Sequence, residues 1–204
     1  MKQHRETAAR LRTAARKLFA DKGFNAASVR EITRLAGANL GAVTYHFGSK
    51  EALHHAVLED VFEDAAQRVE QAAAQHPDPA QRIRAVVTAF FAFFAAAPDA
   101  PLLLIREVAG GAPPPAPVVP RIRRILGAIT RVIVDGQQHG VFRAVPPHLA
   151  AFSLVSQCVW FAVVGRHMPG MLDLEIPDTI LRATMREHIA DVVTRAVITE
   201  PPHA

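Results

Sequence analysis

The chain has 204 residues, half of them apolar, with 23 Lys or Arg against 19 Asp or Glu and a single cysteine, Cys158. That length supports one large or two small domains with a sizeable core, and one cysteine excludes an intrachain disulfide and fits a reducing, cytoplasmic setting. Charge is uneven: residues 1–50 hold 10 Lys or Arg and 3 Asp or Glu, the remainder 13 and 16, so the N-terminal block suits a polyanion partner.

The start MKQHRETAARLR is charged and lacks the apolar core of a signal peptide. Alanine dominates and apolar residues recur at helical spacing, which predicts an all-α fold. Residues 6–21 form the first amphipathic helix, with Ala8, Leu11, Ala15, Leu18 and Phe19 on one face and Gly23 as its C-terminal cap. Ser28 followed by Glu31 is a capping box that starts a helix at Val29, and Gly37 ends it after about two turns. Asn39 is expected to cap the next short helix, LGAVTYHF, and Ser49 a long helix over 49–74 with Leu53, Val57, Val61, Ala65 and Val69 on one side. Two short helices joined by a glycine turn make a helix-turn-helix, whose second helix enters the DNA major groove.

QHPDP (75–79) breaks the chain, and Asp78 with Pro79 opens a helix over 80–97. Further helices are expected over 99–111 with Asp99 as cap, over 118–135, over 148–167, and over 178–198 with Asp178 as cap. Between them, GGAPPPAP (110–117), DGQQHG and PGMLDLEIPD read as loops or turns, and the tail EPPHA as frayed. The apolar stretches 85–97 and 151–165 are shorter than the roughly 20 residues of a membrane span, so they read as core or interface helices and no membrane partner is expected.

Within the helix-turn-helix, Tyr45, His46 and Lys50 are the expected phosphate contacts, because hydroxyl, imidazole and ammonium groups reach phosphate oxygens. Asn39, Leu40 and Thr44 are the candidate base readers: Asn bonds adenine edges, and Thr or Leu meets a thymine methyl. Gly41 is small enough to let the backbone approach DNA, and Arg30 stands ready for a phosphate or a base edge. Ser28, at the start of the first helix of the pair, joins them in the DNA-facing set, while Phe47 is expected in the core. The bland alternative is a small three-helix module with an incidental polar cluster, on an all-α ligand-binding or scaffold protein without specific DNA binding.

Residues 17–53 resemble the TetR family of one-component bacterial transcriptional regulators. The resemblance rests on KLFADKGFNAAS, Ser28, Ala36-Gly37, Tyr45-His46-Phe47 and Ser49-Lys50-Glu51-Ala52-Leu53. One departure is Thr44, where many members carry an aromatic residue. The resemblance implies a helix-turn-helix domain over residues 1–50, linked by the long helix 49–74 to a ligand-binding and dimerisation domain over 51–204. It also implies a homodimeric repressor released from a palindromic double-stranded operator by a small-molecule effector.

Phe90, Phe94, Arg106, Gln157, Trp160 and Phe161 are candidate ligand contacts in the second domain, with core packing or a salt bridge of Arg106 and Glu107 as the plainer readings. Helices 148–167 and 178–198 are the candidate dimer interface, since their apolar residues, Val193 among them, cover more than one stripe. No Gly-rich phosphate loop, nucleophile elbow or HExxH motif is present, and the ten histidines show no His-x3-His spacing, so no enzyme activity, cofactor or metal is expected.

Overall fold

The computed structural model describes residues 2–109 and 113–198. Its helices are α1 (Lys2–Ala26), α2 (Val29–Leu35), α3 (Ala42–Phe47), α4 (Lys50–Ala74), α5 (Pro79–Ala96), α6 (Ala100–Ala109), α7 (Val119–Gln138), α8 (Pro147–Val164), α9 (Met168–Leu172) and α10 (Asp178–Val197). The fold is all-α, and the described residues carry no strand beyond an isolated bridge between Phe142 and Ile198. The chain divides into two compact units. The first is 1–63 with 98–120, and the second is 64–97 with 121–204. Helix α4 begins in the first unit and ends in the second.

In the first unit, Leu11, Ala15 and Phe19 of α1 meet Ile32 of α2, Val43 of α3 and Leu53 and Val57 of α4 in a core from which water is excluded. Helix α1 is bent at Gly23, whose φ of 80° suits glycine. The expected capping box is present: Ser28 Oγ accepts from the Glu31 N–H, and the Glu31 carboxylate accepts from the Ser28 N–H. Lys22 and those Ser28 bonds hold the Glu31 carboxyl down to about 2. Helix α2 closes in a Schellman turn: Ala38 N–H donates to Thr33 O and Gly37 N–H to Arg34 O, with Gly37 at φ 59°.

Four boundary expectations need correction. DGQQHG, expected as a turn, gives its first four residues to the end of α7, which runs to Gln138. Helix α3 starts at Ala42 with Gly41 at its N-cap, so Asn39 does not cap it with its side chain; Asn39 and Leu40 lie in the turn instead. Asp178 is the first helical residue, not the cap, and its carboxylate pairs with Arg182 one turn on. Residues 169–172, expected in a loop, join Met168 in the single-turn helix α9 because Pro169 sits at a helix-compatible first turn. Ser49, by contrast, does cap α4, its hydroxyl accepting from Ala52 N–H. Asp78 caps α5 through Ala80 N–H, with Pro79 first in the helix. Residues 110–112 of the expected loop and the tail 200–204 lie outside the described residues; 113–118 are non-helical.

The second unit is built on α5. Ile83, Val86, Val87, Phe90, Phe93 and Phe94 are buried at i, i+3, i+4, i+7 spacing. Facing residues come from α7 (Ile129, Val132, Ile133), α8 (Leu154, Cys158) and α10 (Leu181, Met185, Ile189, Val193). Arg82 pairs with Asp135, and Arg84 with Asp191 at 2.5 Å, which ties α5 to α7 and α10 at its rim.

The end of α7 repeats the Schellman turn, with Val141 N–H on Gly136 O and Gly140 N–H on Gln137 O. It folds Phe142 back onto Gly136 so closely that a Cβ there would fall 2.1 Å from the ring. Gly136→Ala should therefore destabilise the protein. The overpacking costs about 1–3 kcal/mol, and the helix gains only about 1 kcal/mol from alanine. A urea titration should show a lower midpoint; an equal or higher midpoint would mean that the ring moves aside freely.

Candidate nucleic-acid interface

The first unit presents α3 outward. Tyr45 is 75 % exposed, Leu40 57 % and Leu35 51 %, while Ala42 and Val43 on the opposite face are buried against α1 and α2. Large apolar side chains in water need a partner. Asn39, Gly41 and Thr44 are exposed as well, and so is Arg30, whose guanidinium makes no ion pair or hydrogen bond among the described residues. The expected base readers and Arg30 are thus all accessible to solvent. Phe47 is half-buried, with the Arg12 guanidinium 5.6 Å from its ring centroid.

Two expected contact residues have work inside the chain. Ser28 spends its hydroxyl on the capping box. Lys50 Nζ donates to Phe24 O at 2.8 Å and Ala27 O at 2.9 Å and lies 4.3 Å from the centre of the Phe24 ring. An ammonium has three N–H donors, so two serve the end of α1 and one is left for a phosphate. Lys50 therefore positions the motif whatever else it touches.

Sequence reasoning passed over His4 and Arg10. The His4 ring lies 4.2 Å from His46 and 5.4 Å from Tyr45, centroid to centroid. Thr7 and Arg10 line one cleft with Asn39, Gly41, Tyr45 and His46. Only the basic composition of the N-terminal block hinted at them. Burial first, and the charge of His4 second, hold the His46 imidazole below its ordinary value.

Helix α6 belongs to this unit. Arg106 Nε donates to Ala20 O at 2.9 Å and its Nη2 to Asp21 O at 3.0 Å. Arg16 pairs with Asp99 at 2.5 Å. His54, 8 % exposed, sits 3.1 Å from Glu107 and 4.8 Å from the rings of both Phe19 and Phe24. Of the two readings of Arg106 and Glu107, the structure shows ties across helices: each reaches a different neighbour.

The six candidate ligand residues are not gathered in one place. Phe90 and Phe94 are core, 3 % and 4 % exposed; Trp160 is 59 % exposed; Gln157 and Phe161 are half-buried; Arg106 is held in the first unit. The cleft in the second unit is elsewhere, about 590 Å³, lined by Arg68, Gln71, Gln75, His76, Arg84 and Thr88 among others.

Two family models match the chain. Residues 11–57 match the one described as bacterial regulatory proteins, tetR family, and residues 76–163 the one described as tetracyclin repressor-like, C-terminal domain. The chain is 25 % identical to the HTH-type transcriptional repressor NicS of Pseudomonas putida over 201 residues, covering 90 % of this chain and 89 % of that one. It is 39 % identical to the HTH-type transcriptional activator FasR of Mycolicibacterium smegmatis over 88 residues, covering 43 % of this chain and 40 % of that one. Among solved structures it is similar to a tetR-family bacterial regulatory protein from Rhodococcus RHA1. The TM-score is 0.78 at 22 % identity, covering 96 % of this chain and 98 % of that one.

Burial first, then the charges of His55 and Lys50, push the His54 imidazole from 6.5 down to about 4. Its folded value lies below its unfolded one, so the stability it protects is complete above pH 6.5 and lost as pH falls towards 4. Allowing for partial solvent access, the loss should be about 2 kcal/mol. His54→Gln keeps a donor for Glu107 but cannot titrate. Urea titrations at neutral pH and near pH 4.5 should show a smaller acid loss in the variant; equal losses would assign acid sensitivity to other groups.

Proposed function

Because the chain belongs to the TetR family of DNA-binding bacterial transcription regulators, we propose that it is a homodimeric repressor that leaves a two-fold operator when a small molecule binds. The observation that carries this reading is the exposed surface of the helix-turn-helix, where Leu40, Thr44, Tyr45 and Arg30 stand in solvent on the basic part of the chain. Asn39, Leu40 and Thr44 read base edges, and Arg30, Tyr45, His46 and the remaining N–H of Lys50 meet phosphates. The relative that spans nearly the whole chain is named a repressor, which supports that sign of regulation over activation. Work on DNA places the protein in the cytoplasm.

A helix of six residues reads few base pairs, so useful specificity needs two copies and a pseudo-palindromic site. The second unit offers the surface for pairing. Helix α8 has a mean hydropathy of 1.5, yet only 17 % of it is buried within the chain. It exposes Leu149, Phe152 and Trp160, and α10 exposes Ile180 and Val192. By length and composition α8 would also pass for a membrane span. His148, Ser153, Ser156 and Gln157 on the helix, and the matching apolar residues on neighbouring α10, favour a protein partner: two such helices from each copy bury one another as a four-helix bundle. Val193, at 6 % exposure, belongs to the protomer core and not to this face.

The effector takes the cleft of the second unit, whose volume suits a small molecule and whose Gln71, Gln75, His76 and Thr88 suit a ligand with polar groups, Arg68 and Arg84 being paired with Asp64 and Asp191. Helix α4, shared by both units, carries the signal, and an effector acts by favouring a state that binds DNA less well.

Two measurements test the reading. Affinity for a duplex enriched by the protein from a random pool should fall linearly in log–log form with salt, by about 0.9 per phosphate contact. Salt-insensitive or absent duplex binding would leave the ligand-binding scaffold. Trp160→Asp should turn the dimer into a folded monomer with at least tenfold weaker duplex binding. Sedimentation of an intact dimer would place the interface elsewhere.

A further inference from the structure

The first turns of α1 and the recognition helix α3 share one ring cluster. His4 meets His46 at 4.2 Å and Tyr45 at 5.4 Å, and Tyr45 meets His46 at 5.0 Å, all edge-on. Beside these rings lies a cleft of about 600 Å³ lined by Thr7, Arg10, Asn39, Gly41, Tyr45 and His46. Among the described residues, no carboxylate lines it. Arg10 makes no ion pair among the described residues, whereas Arg12, near Phe47, is spent on Asp60 at 2.7 Å. The Thr7 hydroxyl is turned to Gln3 O. His46 Nδ1 is shielded from water and has no hydrogen-bond partner among the described residues. An uncharged imidazole nitrogen left dry and unpaired is costly, and so are two imidazoliums 4.2 Å apart. A phosphate would relieve both.

We propose that this cleft is a proton-linked seat for one backbone phosphate of duplex DNA, held by His46, Arg10 and Tyr45 with His4 packed against the two rings, and that seating it takes up a proton from solvent. The proposal rests on the DNA-binding reading and adds His4 and Arg10 to it, with His46 as the residue that makes the seat responsive to pH and His4 as its ring neighbour. Among the described residues, the groups beside His46 are the His4 ring and Arg10 from α1 and the Tyr45 and Phe47 rings from α3; none is an acid that would charge the imidazole beforehand. In the free protein His46 is held below 6.5 by burial and by His4, so it is neutral at physiological pH. The negative charge of the backbone phosphate favours the charged form. The complex then binds more protons than the free protein. Affinity rises as pH falls from about 8 and levels off once the free imidazole is itself charged.

The test uses the full chain and the duplex it enriches from a random pool, at constant salt. Affinity should drop about tenfold between pH 6 and pH 8, as one partly titrating group per half-site requires. His46→Gln should flatten that response. His4→Phe should flatten it too, although it preserves the ring contact, which a purely packing role for His4 would not allow. Arg10→Gln should lower the salt slope by about one and leave the pH response in place. Calorimetry of the unmodified protein in buffers of different ionisation enthalpy reads the proton uptake directly and needs no variant. Duplex binding that is indifferent to pH, or a pH response unchanged in both histidine variants, overturns the seat while the DNA-binding reading survives. No duplex binding at any pH would overturn both.

Discussion

The carbonyl end of α1 is the constraint on which the DNA-binding unit depends. A helix leaves its last four C=O groups without partners, and here the bend at Gly23 spreads them over residues 20 to 27. Two cations from distant parts of the chain supply the missing donors. Arg106 takes the carbonyls of Ala20 and Asp21, and Lys50 takes those of Phe24 and Ala27. Charge-assisted bonds to a helix C-terminus, where the macrodipole is negative, are the strong kind. Lys50 is the first residue of α4, so the same bonds fix where α4 starts and therefore where α3, three residues upstream, ends. The angle at which α3 is presented follows from how α1 is capped.

Polar pins and apolar seals divide the labour in this unit. Phe19, Leu11, Ile32 and Leu53 hold α1, α2 and α4 together through dry contacts, which are non-directional and tolerate small shifts. Helix α6 is fastened to α1 and α4 by Arg16–Asp99, Arg106 and its two carbonyls, and His54–Glu107. Such contacts exist only at the right distance and angle. A segment held in this way can change partners in discrete steps, the behaviour that a two-state regulator needs. Burial raises the Glu107 carboxyl and lowers the His54 imidazole, so a neutral imidazole donating to a carboxylate is the arrangement that costs least.

What was legible in the sequence was mostly local. The capping box of Ser28 and Glu31, the Gly37 turn, the Ser49 cap and the Asp78-Pro79 start are short-range devices, and each is found where its residues fall. Asn39 misled because Asn is a common cap, yet here the turn is closed by backbone bonds, with Ala42 N–H on Asn39 O, and needs no side chain. Arg106 was out of reach for a different reason: its partner carbonyls lie 86 and 85 residues away, and no spacing rule links them. Val192 and Val193 show a third limit. Adjacent residues on a helix point about 100° apart, and where apolar residues surround α10, pattern cannot say which faces the chain's own core. Val193 is buried and Val192 is 39 % exposed. The cleft of the second unit was invisible because its lining mixes alanines with Arg, Gln, His and Thr side chains and reads as an ordinary solvated face.

The account's central claim is that two copies of this chain place two recognition helices on one duplex. Hydroxyl-radical footprinting of the full chain on its enriched duplex tests it most directly. It should show two protected patches related by a two-fold axis and centred about one helical turn, or a multiple of it, apart, with inverted sequence symmetry beneath them. A single asymmetric patch, or protection without inverted symmetry, would contradict the claim.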